Sequence, residues 1–220
     1  MSVSKIVRAM RVTIFVIIIL LPVFSFAQVQ TEKRAMLVAS GGWVLANQHI
    51  RNQHTAFEYL DGFQVSLGIE KPITRRFTIT ALTGYARNGS RNTRFFNQTE
   101  RIDYLTLGVR ATEYLPVAGS DLYLSFGPQM GIGVRGERLN ASGQVVEKDL
   151  LKTEGYNEND FGLSGAVGIK FPFGTSLEAG WYIGLANVYK NNNLRVYNSN
   201  LQISAGQTLG WSRFKLKKRR

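Results

Sequence analysis

The chain is 220 residues long, contains no cysteine, and carries 27 Lys+Arg against 15 Asp+Glu, a net charge of +12. The lack of cysteine excludes a disulfide, a thiolate metal site and a cysteine nucleophile, so stability must come from hydrogen-bonded structure and packing. The basic balance suits nucleic acid or an anionic lipid surface, and the start of the chain bears on which.

Lys5, Arg8 and Arg11 precede an apolar stretch from Val12 to Phe26, which closes on Ser25-Phe26-Ala27. This is the layout of a cleavable secretory signal peptide over residues 1–27, with the mature chain starting at Gln28. An uncleaved anchor is the alternative, but the apolar run falls short of the roughly 20 residues that a membrane-spanning helix needs. An exported chain rarely meets nucleic acid, so no nucleic-acid partner is expected. Residues 28–214 are enough for one domain with a sizeable interior. They show no internal repeat, no linker and no further segment able to span a membrane as a helix.

Alternating apolar and small or polar residues predict eight strands, near 35–46, 61–70, 76–87, 101–115, 121–135, 160–171, 175–188 and 199–211. Three connections are short and carry proline: Lys71-Pro72-Ile73-Thr74-Arg75, Pro116 to Ser120, and Pro172-Phe173-Gly174. Between them come longer polar segments, 47–60, 88–100, 136–159 and 189–198. Short turns on one rim and long loops on the other are the plan of an outer-membrane barrel, with the short turns periplasmic. An even strand count puts both ends of the barrel on that periplasmic side.

Residues 160–171 show the alternation best. Phe161, Leu163, Val167, Ile169 and Phe171 share one face, and small or polar residues take the other. In the second strand Phe63, Val65, Leu67 and Ile69 oppose Gln64, Ser66, Gly68 and Glu70. In the fifth, Leu122, Leu124, Phe126, Met130, Ile132 and Val134 oppose Ser125, Gly127, Gln129, Gly131, Gly133 and Arg135. In the last, Leu201, Ile203, Ala205, Leu209 and Trp211 oppose Gln202, Ser204, Gly206, Thr208 and Gly210. Strands one and three are blurred.

An apolar face must meet either a core or lipid. Gly41-Gly42-Trp43 gives the G-x-W of a soluble, lipocalin-like ligand carrier, whose apolar face would turn inward. Its water-facing positions should then be rich in Lys, Glu and Asp, which keep soluble sheets apart. Here they are mostly Gly, Ser, Thr and Gln, which suit the crowded inside of a narrow barrel. The aromatic residues agree with a lipid-facing exterior. Tyr114, Phe171, Phe173 and Trp211 fall at the periplasmic ends of the predicted strands, and Tyr85, Tyr104, Phe161 and Tyr189 at the opposite ends.

On the polar face stand Glu70, Arg110, Arg135, Lys170 and Glu178, a candidate ion-pair network inside the lumen, because buried charges must be paired or hydrated. Eight strands leave too little room for a pore, so the network is expected to be structural. His49 and His54 lie in the first predicted long loop, without a third metal ligand. A barrel enzyme would pair such a His with Ser, Asp or Glu near the outer rim, and Ser90, Asp61, Glu58 and Glu100 are the nearby residue types, but no spacing selects a nucleophile and its base. Phosphate-binding, dinucleotide and acidic calcium motifs are absent. The segment from Gly136 to Asn159 is the longest loop, where binding usually resides, and Asn191-Asn192-Asn193 reads as a flexible outer loop. Neither a cofactor nor a metal is expected.

The closing strand, Ser204-Ala205-Gly206-Gln207-Thr208-Leu209-Gly210-Trp211, resembles the signal recognised by the outer-membrane insertion machinery, with Gly206, Leu209 and Trp211 in its Gly and apolar places. It departs in the basic tail that follows Phe214. Arg213, Lys215, Lys217, Lys218, Arg219 and Arg220 suit lipid headgroups or an acidic wall polymer, or form a solvated end.

From Gln28 to Phe214 the chain resembles the PorT-like family of outer-membrane β-barrel proteins. The resemblance rests on Asp160-Phe161-Gly162-Leu163 with Gly165 and Gly168, on Tyr182-Ile183-Gly184-Leu185-Ala186-Asn187 with Tyr189, and on Asn200-Leu201-Gln202-Ile203-Ser204-Ala205-Gly206. Tyr104-Leu105-Thr106-Leu107-Gly108 keeps the family's aromatic and apolar positions but has Gly for its Pro. These are strand motifs without a catalytic residue. The resemblance implies a small outer-membrane barrel, and the family's namesake takes part in protein secretion.

The expectation is therefore an all-β, eight-stranded antiparallel up-and-down transmembrane β-barrel over 28–214, preceded by the signal peptide 1–27 and followed by the tail 215–220. It sits in the outer membrane as a monomer, without catalysis, among outer-membrane lipid, and meets the insertion machinery and an envelope protein partner through its outer loops or periplasmic rim. Three alternatives stay open: an accessory component of a secretion complex, a lipid-modifying enzyme using His49 or His54, and the soluble lipocalin-like carrier.

Overall fold

Antiparallel pairing carries most of the described residues in the computed structural model, which describes residues 35–50, 58–92, 98–153, 155–190 and 195–209. The signal peptide, His54, Asn191-Asn192-Asn193, Trp211 and the basic tail lie outside these residues. The strands are β1 (Met36–Ile50), β2 (Leu60–Pro72), β3 (Phe77–Asn92), β4 (Gln98–Val117), β5 (Ser120–Leu139), β6 (Val145–Lys148), β7 (Asn159–Lys170), β8 (Thr175–Gly184) and β9 (Val196–Leu209). One helical turn, α1 (Leu150–Thr153), follows β6.

Eight strands close a ring in the order β1-β2-β3-β4-β5-β7-β8-β9, with every pair antiparallel and β6 attached to β5 alone. The seam is β1 on β9, paired from Leu37 opposite Leu209 to Ile50 opposite Val196. Closure removes the edges that an open sheet would present in lipid. At Gly42 the seam is tight, because a Cβ there would overlap the Ile203 carbonyl oxygen and the Ser204 side chain.

The faces are those of a membrane barrel. Ile203 is 64% exposed, whereas its strand neighbours Ser204 and Gln202 are 3% and 6% exposed, and Leu67 on β2 stands outward at 63%. The same holds around the ring, with Phe63, Leu107, Leu124, Val167, Leu177 and Leu201 outside. Thr80, Thr112, Ser125, Ser164, Asn200 and Thr208 are buried inside. A water-soluble barrel has this pattern reversed, so the lipocalin-like alternative fails. Outward Gly165 leaves a place for the Trp181 indole, which lies where its Cβ would stand.

Three tight turns occupy one rim. In the β2–β3 turn Thr74 Oγ1 accepts from the Phe77 and Arg76 amides at 3.0 and 3.2 Å. Ala118 (φ 41°) and Gly119 (φ 97°) join β4 to β5, and the positive φ at both suits the right-handed twist of the flanking strands. Gly174 (φ 90°) closes the β7–β8 turn, its amide donating to the Phe171 carbonyl at 3.0 Å. The four longer connections occupy the other rim, and the first residue of β1 and the last of β9 lie on the tight-turn side.

The structure differs from the sequence expectation mainly at the long-loop rim. There β1 runs on to Ile50 and β3 to Asn92, while β4 and β5 reach 20 residues each. His49 is thus in a strand and not in a loop. The loop after β5 is also built: β6 extends the sheet, and α1 turns Leu150 and Leu151 into the barrel mouth. There they pack with Ile102, Tyr104 and Tyr156, against Gly133 and Gly136.

Candidate functional site

Near the tight-turn rim the lumen is crossed by a charged layer. Lys170 Nζ donates to Glu70 Oε1 and Oε2 at 3.1 and 2.9 Å and to the Tyr114 hydroxyl oxygen at 3.0 Å. The Tyr114 hydroxyl in turn donates to Glu70 Oε1 at 3.2 Å. Glu70 is on β2 and Lys170 on β7, diametrically opposite in the ring, so this pair braces the barrel across its width. Beside it Arg110 lies 3.5 Å from Glu178, which also accepts from Tyr123 and Ser204, each at 2.9 Å. Arg110 Nε donates to Ser164 Oγ at 3.3 Å. Two acids and two bases balance, and the hydroxyls of Tyr114, Tyr123, Ser164 and Ser204 add hydrogen bonds to them, which is the kind of setting in which buried charges are tolerated.

Above that layer the crossings are neutral or singly charged. Asn198 Nδ2 donates to Tyr104 on the opposite wall at 3.1 Å and to Asp160 at 2.9 Å. Gln48 donates to Asn198 at 3.1 Å and accepts from Ser90 at 2.9 Å, while Asn200 donates to Asn88 at 3.1 Å. Tyr182 on β8 faces the Asp160 carboxylate on β7, while Asn200 Oδ1 and Gln202 Nε2 on the adjacent β9 are buried without a hydrogen bond to protein. The two unpaired β9 atoms are places for internal water. Cavities of about 60 and 30 Å³ flank Arg110 and Glu178, room for a few waters and far below the volume of ordinary ligand pockets.

The long-loop mouth is closed by the apolar group around Leu150 and by a polar lid over it. Glu100 accepts from the hydroxyls of Tyr156 and, at 3.3 Å, Tyr189, whose own hydroxyls are 2.6 Å apart. Arg138 bridges Glu100 at 3.0 Å and Glu147 at 2.6 Å, which ties the β5–β6 hairpin to the lid. Burial, then the neighbouring Glu100 carboxylate, pushes the Tyr156 and Tyr189 hydroxyls well above the ordinary tyrosine range.

The structure thus brings together Glu70, Arg110, Lys170 and Glu178 of the five candidate lumen charges and sets Arg135 apart. Arg135 is 61% exposed on the outer wall, 2.5 Å from Glu137. The cause is a bulge: Asp103 pairs with Arg135 and Tyr104 with Gly133, so Val134 is the extra residue and the alternation reverses beyond it. Three aromatic assignments also change, because Tyr104 and Tyr114 face the lumen, 1% and 6% exposed, and Tyr189 is held in the lid with Tyr156 and Glu100. Trp43 and Phe63 stand on the exterior, with Phe63 stacked on Tyr85 at 5.7 Å and beneath the Arg87 guanidinium at 5.2 Å.

His49 points outward, stacked on Tyr197 at 5.5 Å, while Ser90 points inward to Gln48, so the two face opposite sides of the wall. Glu100 is engaged in the lid. Of the insertion-signal residues, Gly206 faces inward against Ser176 and Leu209 stands 59% exposed at the end of β9. The sequence reading missed Tyr114, Tyr123 and Ser204 as partners of the lumen charges. It also missed the stopper, whose one signal is the Leu150-Leu151 pair inside a polar loop.

Residues 16–208 match the family model described as outer membrane protein beta-barrel domain. No curated protein matches the sequence. Among solved structures, the chain is similar to Neisserial surface protein A, with a TM-score of 0.47 and 13% identity over 79% of this chain and 98% of that one. It is similar to Ail, the attachment invasion locus protein of Yersinia pestis, with a TM-score of 0.43 and 12% identity over 80% and 99%. The outer membrane enzyme PagL gives a TM-score of 0.40 and 11% identity over 78% and 98%.

Proposed function

The chain belongs to the outer membrane protein beta-barrel domain family, and from that membership we propose that it is a sealed, non-catalytic, monomeric scaffold that presents its long-loop cap to an envelope protein partner. The observation that carries this reading is the filling of the interior. Glu70–Lys170 and Asn198–Tyr104 link opposite walls, and Leu150 and Leu151 stopper the mouth. Such a barrel offers no route for a solute. The surface left for a partner is then the cap above the long-loop rim, which lies outside the cell if the short turns are periplasmic, as is usual for such barrels.

The cap has the features of a docking surface. The β5–β6 hairpin stands out from the ring with Val145 and Val146 exposed, 40% and 56%, beside its tip. At the tip, Asn140 Oδ1 accepts from Ser142 and Gln144 amides at 3.1 and 2.9 Å, holding it in one shape. The opposite placements of His49 and Ser90 give the enzyme alternative no support.

Two measurements test the reading. Purified protein in planar lipid bilayers is expected to give no conductance steps, and stable channels would refute the seal. A photo-crosslinking residue at exposed Ser142 is expected to give one discrete adduct in growing cells, lost when the hairpin tip is shortened. A smear unaffected by that shortening would remove the partner.

A further inference from the structure

We propose that a row of cations on the outer wall of β3, β4, β5 and β6, at the long-loop edge of the apolar band, binds the phosphate of a lipid headgroup. The strand register sets the row out. Asp103 lies between Arg87 and Arg135, and Glu137 lies between Arg101 and Lys148. Four bases thus enclose two acids, which leaves two positive charges unmatched.

The acids lie underneath. The side chains of Asp103 and Glu137 are 1% and 7% exposed, against 22% for Arg87 and 61% for Arg135. Arg87 closes over Asp103 with two bonds, from Nε at 2.7 Å and Nη2 at 3.2 Å. Arg101 and Lys148 have no ion pair among the described residues, and Arg101 Nε is buried without a hydrogen-bond partner. An anion arriving from outside therefore meets guanidinium and ammonium groups before it meets a carboxylate, and those groups make charge-assisted bonds to phosphate oxygens. Exposed acids flank the row without entering its register: Asp61 lies on β2, and Asp149 follows Lys148 at the turn into α1.

The bulge at Val134 builds the row. Without the extra residue Arg135 and Glu137 would turn into the lumen, and with it they join Asp103 and Arg101 on the exterior. The level of the row points to lipid as the source of the phosphate. Tyr85, Leu105 and Ile132 pair across β3, β4 and β5 just below it, and Leu105 and Ile132 stand 49% and 37% exposed at the top of the apolar band. Two residues of strand, about 7 Å, separate Leu105 from Asp103. Arg87 also spreads over the Phe63 ring at 5.2 Å, its stem on apolar surface and its charge toward the headgroups. A lipid phosphate stands at this level already, in the outer leaflet on the orientation proposed above, whereas a soluble anion would have to pass between headgroups to reach it.

The test places one fluorophore on the full chain, which has no native cysteine, through Leu105→Cys below the row or Leu201→Cys on β9 at the opposite wall. The protein is held in maltoside micelles at low salt and titrated with phosphatidic acid carrying a nitroxide quencher on its acyl chain, or with the matching diacylglycerol, which lacks only the phosphate. At 105, half-quenching is expected at about a tenfold lower concentration of phosphatidic acid than of diacylglycerol. At 201 the two lipids should quench alike. Arg135→Gln with Lys148→Gln should remove most of the preference at 105, and Glu137→Gln, which takes away an acid, should enlarge it. Gel mobility that still shifts on heating shows that each variant is folded, and the comparison of the two lipids on the parent chain stands without any variant. Equal quenching by the two lipids at 105, the same preference at both walls, or a smaller preference in folded Glu137→Gln would overturn the proposal. Displacement by inorganic phosphate at the concentration of the lipid would also overturn it, since it would assign the row to a soluble anion.

Discussion

Lys170 and Glu70 are the pair on which the interior depends most, because each is nearly sealed from water, with side chains 3% and 5% exposed. Removing one partner strands the other charge. Lys170→Ala is expected to destabilise the folded barrel by about 3–5 kcal/mol, read as a shift in urea unfolding in lipid vesicles. The double replacement Glu70→Gln, Lys170→Met should recover a large part of that loss. Arg135→Ala is expected to cost clearly less than Lys170→Ala, because Arg135 is itself 61% exposed although its partner Glu137 is only 7% exposed, and a loss comparable to that of Lys170→Ala would put it back in the lumen. Gly42→Val should cost about 1–3 kcal/mol by forcing β1 from β9 at the seam.

The elements were legible in the sequence to different degrees. Period-two alternation located all eight ring strands, and Gly or Pro marked each short turn, because one face in lipid and one in a narrow lumen impose opposite chemistries on neighbouring residues. Glu70, Arg110, Lys170 and Glu178 could be assigned to the interior from the same alternation. Arg135 could not, since a bulge at Val134 is invisible to a pattern count and reverses every side chain after it. The outer ends of β3, β4 and β5 were read as loop because above the apolar band both faces are polar and alternation disappears. β6 and α1 were too short to show a period of their own.

The lid over the mouth has its own expected behaviour. A tyrosine whose folded-state pKa is raised contributes stability that is fully present below its unfolded value, near 10, and is lost progressively as pH rises beyond it. Tyr156 and Tyr189 are both raised, by burial first and by Glu100 next. Amide exchange across residues 145–158, corrected for base catalysis, should therefore accelerate above about pH 10. Tyr156→Phe should flatten that dependence, and an unchanged profile would mean the lid does not hold the stopper. Leu150→Ala is expected to loosen the same segment at neutral pH, at a cost of about 2–5 kcal/mol.

At the scale of the whole molecule the fold is an inversion of a soluble protein, with leucine, isoleucine and valine outside and Asn, Gln, Ser, Thr and paired ions within. That inversion is the central claim, and every functional statement depends on it. The most direct measurement uses the absence of native cysteine. Single nitroxide labels are attached in turn along β9, residues 199–209, and their collisions with oxygen and with a water-soluble nickel chelate are compared in lipid vesicles. Oxygen access should peak at 201, 203, 205 and 209, the outward positions, with minima at 200, 202, 204 and 208, and the nickel complex should reach neither set. Nickel access at 201, 203 and 205 would contradict the account, because it would place the apolar face in water.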